Sequence, residues 1–295
     1  MAAAEDLYIE HFGLKARPFS LLPDPDFLFW SKAHSRAYAV LEYGIATRAP
    51  LTVVTGEVGT GKTTLIQALL RKLNPDIALG LISNAQGDRG DLLRWVLNAL
   101  DVPLPERTDY VSLFQHFQDF VVQEYAAGRH VVLIIDEAQN LGADMLEELR
   151  MFTNINSGQD ELLQIILAGQ PELRDIITRP QLRQFAQRVT ATCHIYPFDM
   201  RDTRAYIVHR LEQAGGTGSE FTLAAIREIF AESVGIPRMI NKVCDLAMVY
   251  AAAGGKEKVG LDSLRELLRD GLVLSPSKTP QFLTNRFEGP EDGLK

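Results

Sequence analysis

The amino-acid sequence predicts an α/β fold, in which a five-stranded parallel sheet flanked by helices is followed by a small all-helical domain. Five short apolar segments alternate with helical segments as far as Pro197, an order that is typical of parallel sheets. Beyond Pro197 the apolar residues recur only at helical spacing. With 295 residues, the chain is long enough to form two packed cores.

The predicted strands are short, apolar and rich in β-branched residues, which indicates burial on both faces of a parallel sheet. The clearest of them is HVVLIID. Segments with helical periodicity separate the strands. The predicted strands are residues 51–55, 77–83, 130–136, 162–169 and 190–196, and the predicted helices between them are residues 62–73, 90–100, 110–127, 142–155 and short pieces within 171–188.

Both ends of the chain extend beyond this sheet. Proline residues at positions 18, 23 and 25 exclude a continuous helix from the first segment, which we expect to be an ordered, aromatic arm. Ser31 is a suitable N-cap for a helix that ends near Thr47. The predicted helices of the last domain are Asp199–Ala214, Thr222–Ser233, Pro237–Ala252 and Leu261–Leu272.

These patterns predict four regions. The arm and first helix, residues 1–48, are expected to pack on the sheet domain. The sheet domain itself spans residues 49–197 and the helical domain residues 198–274. Residues 275–295 mix Ser, Pro, Thr, Asn and Gly without periodicity, which favours a flexible tail.

Composition and charge restrict the class of protein. Hydrophobic residues make up 46% of the chain and charged residues 23%, values that suit a globular protein. The net charge of −8 disfavours DNA as a partner, because the overall field repels phosphates. The sequence does not open on a secretory signal pattern, and its apolar runs are too short to cross a bilayer. We therefore expect a cytoplasmic protein without membrane insertion.

A glycine-rich motif, GEVGTGKT, occupies residues 56–63 between a predicted strand and a predicted helix. Glycine lets the backbone approach phosphate groups closely, and the N–H groups of the loop and helix N-terminus face their negative charge. Lys62 is expected to reach the outer phosphates, and the Thr63 hydroxyl to bind Mg²⁺. The motif predicts that ATP and Mg²⁺ bind here, with ATP contacting Gly56, Glu57, Val58, Gly59, Thr60, Gly61, Lys62, Thr63 and Thr64.

Two carboxylates end the predicted strand at residues 130–136, in the sequence VVLIIDEAQ. Ligands of parallel sheets bind at the carboxyl ends of the strands, so these side chains are placed for chemistry. Asp136 is expected to hold Mg²⁺, directly or through water. Glu137 is expected to orient and polarise the attacking water, which indicates hydrolysis of the nucleotide.

Three further positions are candidates with open alternatives. Gln170, at the tip of the next strand, either contacts the γ-phosphate or attacking water, or is a polar loop residue. An arginine in RPQLRQFAQRV (Arg179, Arg183 or Arg188) either projects into a neighbouring subunit's phosphates or lies on a solvated helix face. Arg238 lies in the first turn of a predicted helix, where a positive charge is unfavourable to the helix dipole. This placement favours a role for Arg238 in binding phosphate over a position on the protein surface.

These motifs, in this order, resemble the AAA+ superfamily. GEVGTGKT is similar to Walker A and LIIDE to Walker B, while Gln170 and Arg238 stand at the sensor-1 and sensor-2 positions. Arg188 matches the arginine finger better than Arg183 does. The segments DEAQNL, LAGQPEL and GIPRMINKVCDLAMVYA, with the aromatic arm, resemble the ExeA-type, general secretion pathway protein A ATPases over roughly residues 8–270.

The resemblance implies a P-loop sheet of AAA+ strand order, a helical lid, ATP hydrolysis and self-association into rings or arcs. It also implies a partner in a bacterial envelope system for secretion or exopolysaccharide. The full secretion protein has a transmembrane helix and a periplasmic region after the lid, which are not expected here. Two alternatives stay open: a nucleotide-gated DNA-binding regulator of the transposition target-selector type, and a nucleotide-dependent scaffold with almost no turnover.

Overall fold

The structure is a computed structural model that describes residues 8–73, 76–83, 85, 89–158 and 160–272. The predicted flexible tail, residues 275–295, lies outside the described residues. The strands are β1 Leu51–Gly56, β2 Ile77–Ile82, β3 His130–Ile135, β4 Asn156–Ser157, β5 Asp160–Glu161, β6 Leu163–Gly169 and β7 Val189–Ile195.

Helices connect the strands and then continue alone. They are α1 Lys32–Ala46, α2 Lys62–Leu70, α3 Arg89–Ala99, α4 Tyr110–Ala126, α5 Ala143–Phe152, α6 Pro171–Ile177, α7 Arg183–Arg188, α8 Met200–Gln213, α9 Leu223–Ser233, α10 Pro237–Ala253 and α11 Leu261–Arg269. Short 3₁₀ turns occupy Pro25–Phe27, Ala138–Asn140 and Pro180–Leu182. Among the helices of the described residues, none has the length and apolar character needed to span a bilayer.

The main sheet has five parallel strands in the order β2-β3-β6-β1-β7. In its registers Thr55 lies beside Gly169, and Ile135 lies beside Leu167. The carboxyl ends of β1, β3 and β6 therefore meet at one edge of the sheet. The glycine-rich motif follows β1 at this edge, the Asp136–Glu137 pair follows β3, and Gln170 follows β6. Crossover helices separate these strands along the chain, as parallel pairing requires.

Helices cover both faces of the sheet. On one face, apolar residues of β1, β3 and β6, such as Leu133 and Ile165, form a core with α3, α4 and α5. On the other face, residues such as Ile134 and Ile166 pack against α1 and α2. The buried strands alternate between these two cores, which explains why their sequences are apolar at every position. The predicted α/β fold, with a five-stranded parallel sheet flanked by helices, is confirmed.

Helices α8–α11 form a separate hydrophobic core, and we call them the helical bundle. The sequence predicted that the arm packs on the sheet domain. In the structure, Tyr8, Leu14 and Phe19 of the arm lie in the core of the helical bundle, whereas Leu28 packs in the core that the sheet forms with α1 and α2. Polar contacts fix this position, since Tyr8 and Arg17 both bind the Asp245 carboxylate. Helix α1, in contrast, packs on the sheet as predicted.

Several local features differ from the sequence prediction. Helices α2, α5 and α11 each end three residues earlier than predicted, at Leu70, Phe152 and Arg269. Residues 156–161 form a small antiparallel hairpin, β4–β5, before β6. Two-residue strands are too short for a period-2 pattern to be visible in the sequence, so the hairpin was not predicted.

Candidate active site

The glycine-rich loop, residues 56–63, connects β1 to α2 and depends on residues without a side chain. Gly59 and Gly61 have φ angles of +82° and +96°, in the left-handed region that glycine adopts without strain. A Cβ at Gly59 would lie 2.5 Å from the Cβ of Arg238, and one at Gly56 would lie 2.7 Å from the carbonyl oxygen of Ile195. The loop therefore passes close to the backbone of β7 and to α10, and only glycine fits at these two positions.

Lys62 is buried at the start of α2, with 5% of its surface exposed. Its Nζ donates to the carbonyl oxygens of Gly56, at 2.7 Å, and Glu57, at 3.1 Å. Burial lowers the pKa of Lys62, and the carboxylates of Glu137 and then Asp136 oppose this shift. The side chain thus brings an ammonium group into a cleft that contains two carboxylates.

Thr63, in the first turn of α2, is in direct contact with Asp136, which follows β3. The Thr63 hydroxyl donates to Oδ2 of Asp136 at 2.7 Å, and Oδ1 of Asp136 accepts from the backbone N–H of Glu137 at 2.9 Å. A hydroxyl and a carboxylate are the oxygen ligands that Mg²⁺ prefers. No group of three His, Cys, Asp or Glu side chains suited to a metal occurs in the part of the chain that the structure describes. This pair therefore fits a Mg²⁺ ion that takes its other ligands from phosphates and water.

Glu137 has a strained backbone at the end of β3, with φ 54° and ψ 37°. Such angles cost about 1–3 kcal/mol for a non-glycine residue and concentrate at functional sites. Its Oε2 accepts from Nε2 of Gln139 at 2.6 Å and from Nε2 of Gln170 at 3.3 Å. The structure thus brings Gln170 to Glu137, and it adds Gln139, which the sequence analysis did not identify.

The cleft lies between three parts of the chain: the arm, the glycine-rich loop and the helical bundle. Arg238 joins the last two, because its backbone N–H donates to the carbonyl oxygen of Gly59 at 3.1 Å. Residues of all three parts line the cleft, together with His34 of α1, Glu137 and Phe198. The full lining is Ser20, Leu21, Leu22, Pro23, Asp24, Phe27, Leu28, Phe29, His34, Val58, Gly59, Thr60, Gly61, Lys62, Thr63, Thr64, Glu137, Phe198, Tyr206, Arg210, Pro237, Arg238 and Asn241.

A second residue that the sequence analysis missed is His34, on α1. Its Nε2 lies 2.9 Å from the carbonyl oxygen of Thr60, and its Nδ1 lies 2.8 Å from the Ser31 hydroxyl. Burial lowers the pKa of His34, while the Thr60 hydrogen bond and the charge of Asp202 oppose the shift. A neutral imidazole donates through Nε2 to the Thr60 carbonyl and accepts through Nδ1 from the Ser31 hydroxyl, so His34 links α1 to the glycine-rich loop.

The structure does not bring Arg188 into the cleft of its own chain. Arg188 ends α7 and contacts the β4–β5 hairpin region, donating to Oδ1 of Asn154 at 2.7 Å and to Oε1 of Glu161 at 3.4 Å. It precedes β7, whose carboxyl end faces the cleft. A strand of seven residues separates Arg188 from that edge by roughly 20 Å. Arg183 and Arg179 are also exposed.

The chain is similar to several known proteins. Residues 45–177 match the family described as AAA domain. General secretion pathway protein A of Aeromonas hydrophila is 39% identical over 253 residues, which cover 86% of this chain and 46% of that protein. The chain therefore spans about half the length of this curated relative.

Solved structures share the fold at low sequence identity. Cdc6p of Pyrobaculum aerophilum superimposes with a TM-score of 0.65 at 14% identity, covering 84% of this chain and 71% of that one. The Aeropyrum pernix ORC1 protein, in complex with DNA, gives a TM-score of 0.61 at 18% identity, covering 86% and 69%. Residues 45–177 therefore match an AAA domain, and the chain is similar over most of its length to general secretion pathway protein A.

Proposed function

We propose that this chain hydrolyses Mg²⁺-bound ATP in the cleft, self-associates into rings or arcs, and drives or regulates a bacterial envelope system. One observation carries the proposal. Lys62, Thr63, Asp136, Glu137 and Gln170 converge at the carboxyl edge of the sheet, through the contacts Thr63–Asp136 and Gln170–Glu137.

Each part of the cleft has a distinct role in this proposal. The N–H groups of the glycine-rich loop and the Lys62 ammonium bind the phosphates. Thr63 and Asp136 would hold Mg²⁺, which neutralises phosphate charge when bound. Glu137 orients the attacking water and accepts its proton. Arg238, on the helical bundle, contacts phosphate from the opposite side.

Self-association is proposed from the position of Arg188. The Arg188 guanidinium, at the amino end of β7, is too far from the cleft of its own chain to contact phosphates there. In an assembly it would instead contact the phosphates bound in the cleft of a neighbouring chain. Its present partners, Asn154 and Glu161, are half-exposed or exposed, so releasing it costs little. A permanent positive charge with a planar fork suits phosphoryl transfer.

The envelope role is proposed from the 39% identity to a protein named for general secretion. The test is deletion of the gene in its host and complementation with wild type or Glu137→Gln. Secreted protein and exported polysaccharide are then measured. We expect wild type alone to restore one of them, and restoration by Glu137→Gln contradicts an ATP-driven role. Normal export of both after deletion contradicts the envelope role itself.

A DNA-binding regulator is the second candidate, because the similar ORC1 structure is a complex with DNA. The net charge of −8 disfavours it. Titration of duplex DNA with a non-hydrolysable ATP analogue, at two salt concentrations, separates the candidates. Tight binding with a steep salt dependence favours the regulator. Negligible ATP turnover, both with and without DNA, favours a nucleotide-dependent scaffold.

A further inference from the structure

Gln139 connects Glu137 to Gln170 through both ends of its side-chain amide. Its Nε2 donates to Oε2 of Glu137 at 2.6 Å, and its Oε1 accepts from the backbone N–H of Gln170 at 2.9 Å. Gln139 lies in the 3₁₀ turn after β3, whereas Gln170 follows β6. The amide therefore bridges the ends of two adjacent strands.

The surroundings allow this bridge in one orientation only. An amide needs an acceptor for its nitrogen and a donor for its oxygen, and here Glu137 and the Gln170 N–H supply one each. Gly169 makes room for it, since a Cβ there would lie 2.9 Å from Oε1 of Gln139. A rotated amide would place its oxygen against the Glu137 carboxylate.

Glu137 needs such support because its own backbone is strained. A left-handed glutamate persists only where neighbouring contacts hold it. Its backbone is held by Asp136 Oδ1 and by the N–H of Asn140, which donates to the Glu137 carbonyl at 3.0 Å. Its carboxylate is held by Gln139, through the shorter of its two amide contacts.

We propose that Gln139 is a positioning residue for ATP hydrolysis, which fixes the Glu137 carboxylate and ties it to the tip of β6. This inference rests on the proposed catalytic role of Glu137. Gln139 touches neither water nor phosphate in this scheme; it acts through Glu137 and sets the distance between Glu137 and Gln170. Its loss therefore lowers kcat and leaves ATP affinity nearly unchanged.

Two variants separate positioning from a structural contact. Gln139→Leu keeps the size of the side chain and removes both bonds. Gln139→Glu keeps the acceptor for the Gln170 N–H, removes the donor to Glu137 and adds a carboxylate beside it. If Gln139 only anchored β6, Gln139→Glu would be tolerated better than Gln139→Leu. We expect both to lower kcat by about 10²-fold, with Gln139→Glu affected at least as strongly.

The matched control is Gln115→Leu, which removes another glutamine–carboxylate bond, to Asp119 on the surface of α4. It is expected to keep wild-type kcat. Circular dichroism and ATP binding establish that each variant is folded. If Gln139→Leu does not fold, Gln139→Glu carries the test, because it matches the wild-type shape.

A double-mutant cycle with Glu137→Gln completes the test, measured by single-turnover hydrolysis. We expect Gln139→Leu to have almost no further effect once Glu137 is replaced, because both act through the same carboxylate. Wild-type turnover in Glu137→Gln itself rejects the proposed function and this inference together. Slow turnover in Glu137→Gln with normal kcat in Gln139→Leu, or equal losses in both backgrounds, overturns this inference alone.

Discussion

Among the residues of the cleft, Lys62 combines burial with charge. Burial disfavours its charged ammonium group, and the nearby carboxylates of Glu137 and Asp136 stabilise that charge. Lys62→Ala should weaken ATP binding by about 10- to 100-fold, the value of one or two charge-assisted hydrogen bonds. Equilibrium dialysis with ATP measures this effect, and Lys258→Ala, an exposed lysine of the helical bundle, is the control. Wild-type ATP affinity in Lys62→Ala contradicts the assignment of the loop.

His34 gives a pH-dependent prediction. Its pKa is lowered by burial, so below the ordinary histidine value of about 6.5 the unfolded chain binds a proton that the folded chain resists. The contribution of His34 to stability is therefore fully present above this pH and is lost as the pH falls toward the folded pKa.

The free energy of unfolding, from urea titrations between about pH 5.5 and pH 7.5, should thus fall less steeply with acid in His34→Gln than in wild type. His116→Gln, on α4 and outside the site, is the control. Identical pH dependence in wild type and His34→Gln contradicts a buried, neutral His34.

The sequence predicted most residues of the cleft, but not Gln139 and His34, which hydrogen-bond to them. GEVGTGKT and the Asp136–Glu137 pair follow strands, and parallel strands end at one edge, so their convergence could be predicted. Gln139 and His34 could not be identified this way. The Gln170 N–H that donates to Gln139 lies 31 residues away, and the Thr60 carbonyl beside His34 lies 26 residues away, on elements whose neighbours a single sequence does not reveal. The roles assigned to the predicted site residues stay predictions until variants are measured.

Among the elements, the contact between the glycine-rich loop and α10 couples the sheet to the helical bundle. Gly59→Ala tests it, because the new Cβ would meet Arg238. Gly128→Ala is a matched control, since Gly128 also has a positive φ, +77°, but an added Cβ meets no atom within 4 Å. Both variants should lose about 1–2 kcal/mol of stability from the backbone alone.

Gly59→Ala should, in addition, weaken ATP binding by at least about tenfold, because α10 must move away from the loop. Thermal unfolding and ATP binding are measured for both variants. Equal ATP affinity in the two shows that the contact between α10 and the loop does not shape the cleft.

The elements themselves were largely predictable. Buried strands such as β3 are apolar at every position, and proline or capping residues mark helix starts at Ser31, Asp199 and Pro237. The position of the arm was not predictable, because its aromatic side chains indicate burial without naming a partner. The Asp245 carboxylate that fixes Arg17 lies 228 residues away.

For the whole molecule, the account predicts that activity depends on self-association. Specific ATPase activity should rise with protein concentration, since a single chain lacks the neighbour's Arg188. Arg188→Ala should bind ATP nearly normally and lose turnover, by about 10³–10⁵-fold where the arginine is fully engaged. Arg36→Ala, an exposed arginine on α1, is the control.

Mixing Arg188→Ala with Lys62→Ala then restores part of the activity, because one chain supplies an intact cleft and the other an intact arginine. Cross-linking first establishes that the two variants assemble together. Co-assembly without recovery, or specific activity that does not vary with concentration, excludes Arg188 as the arginine acting between chains. Arg183 is then the next residue to replace.

The most direct test of the central claim is single-turnover hydrolysis of ATP by Glu137→Gln, with ATP affinity measured on the same protein. The amide preserves the shape of the side chain and its place beside Gln170, but it accepts no proton from water. The account predicts ATP binding close to wild type and hydrolysis slowed by about 10²–10⁴-fold. Hydrolysis at the wild-type rate would contradict it, and the carboxyl end of β3 would not be the catalytic centre.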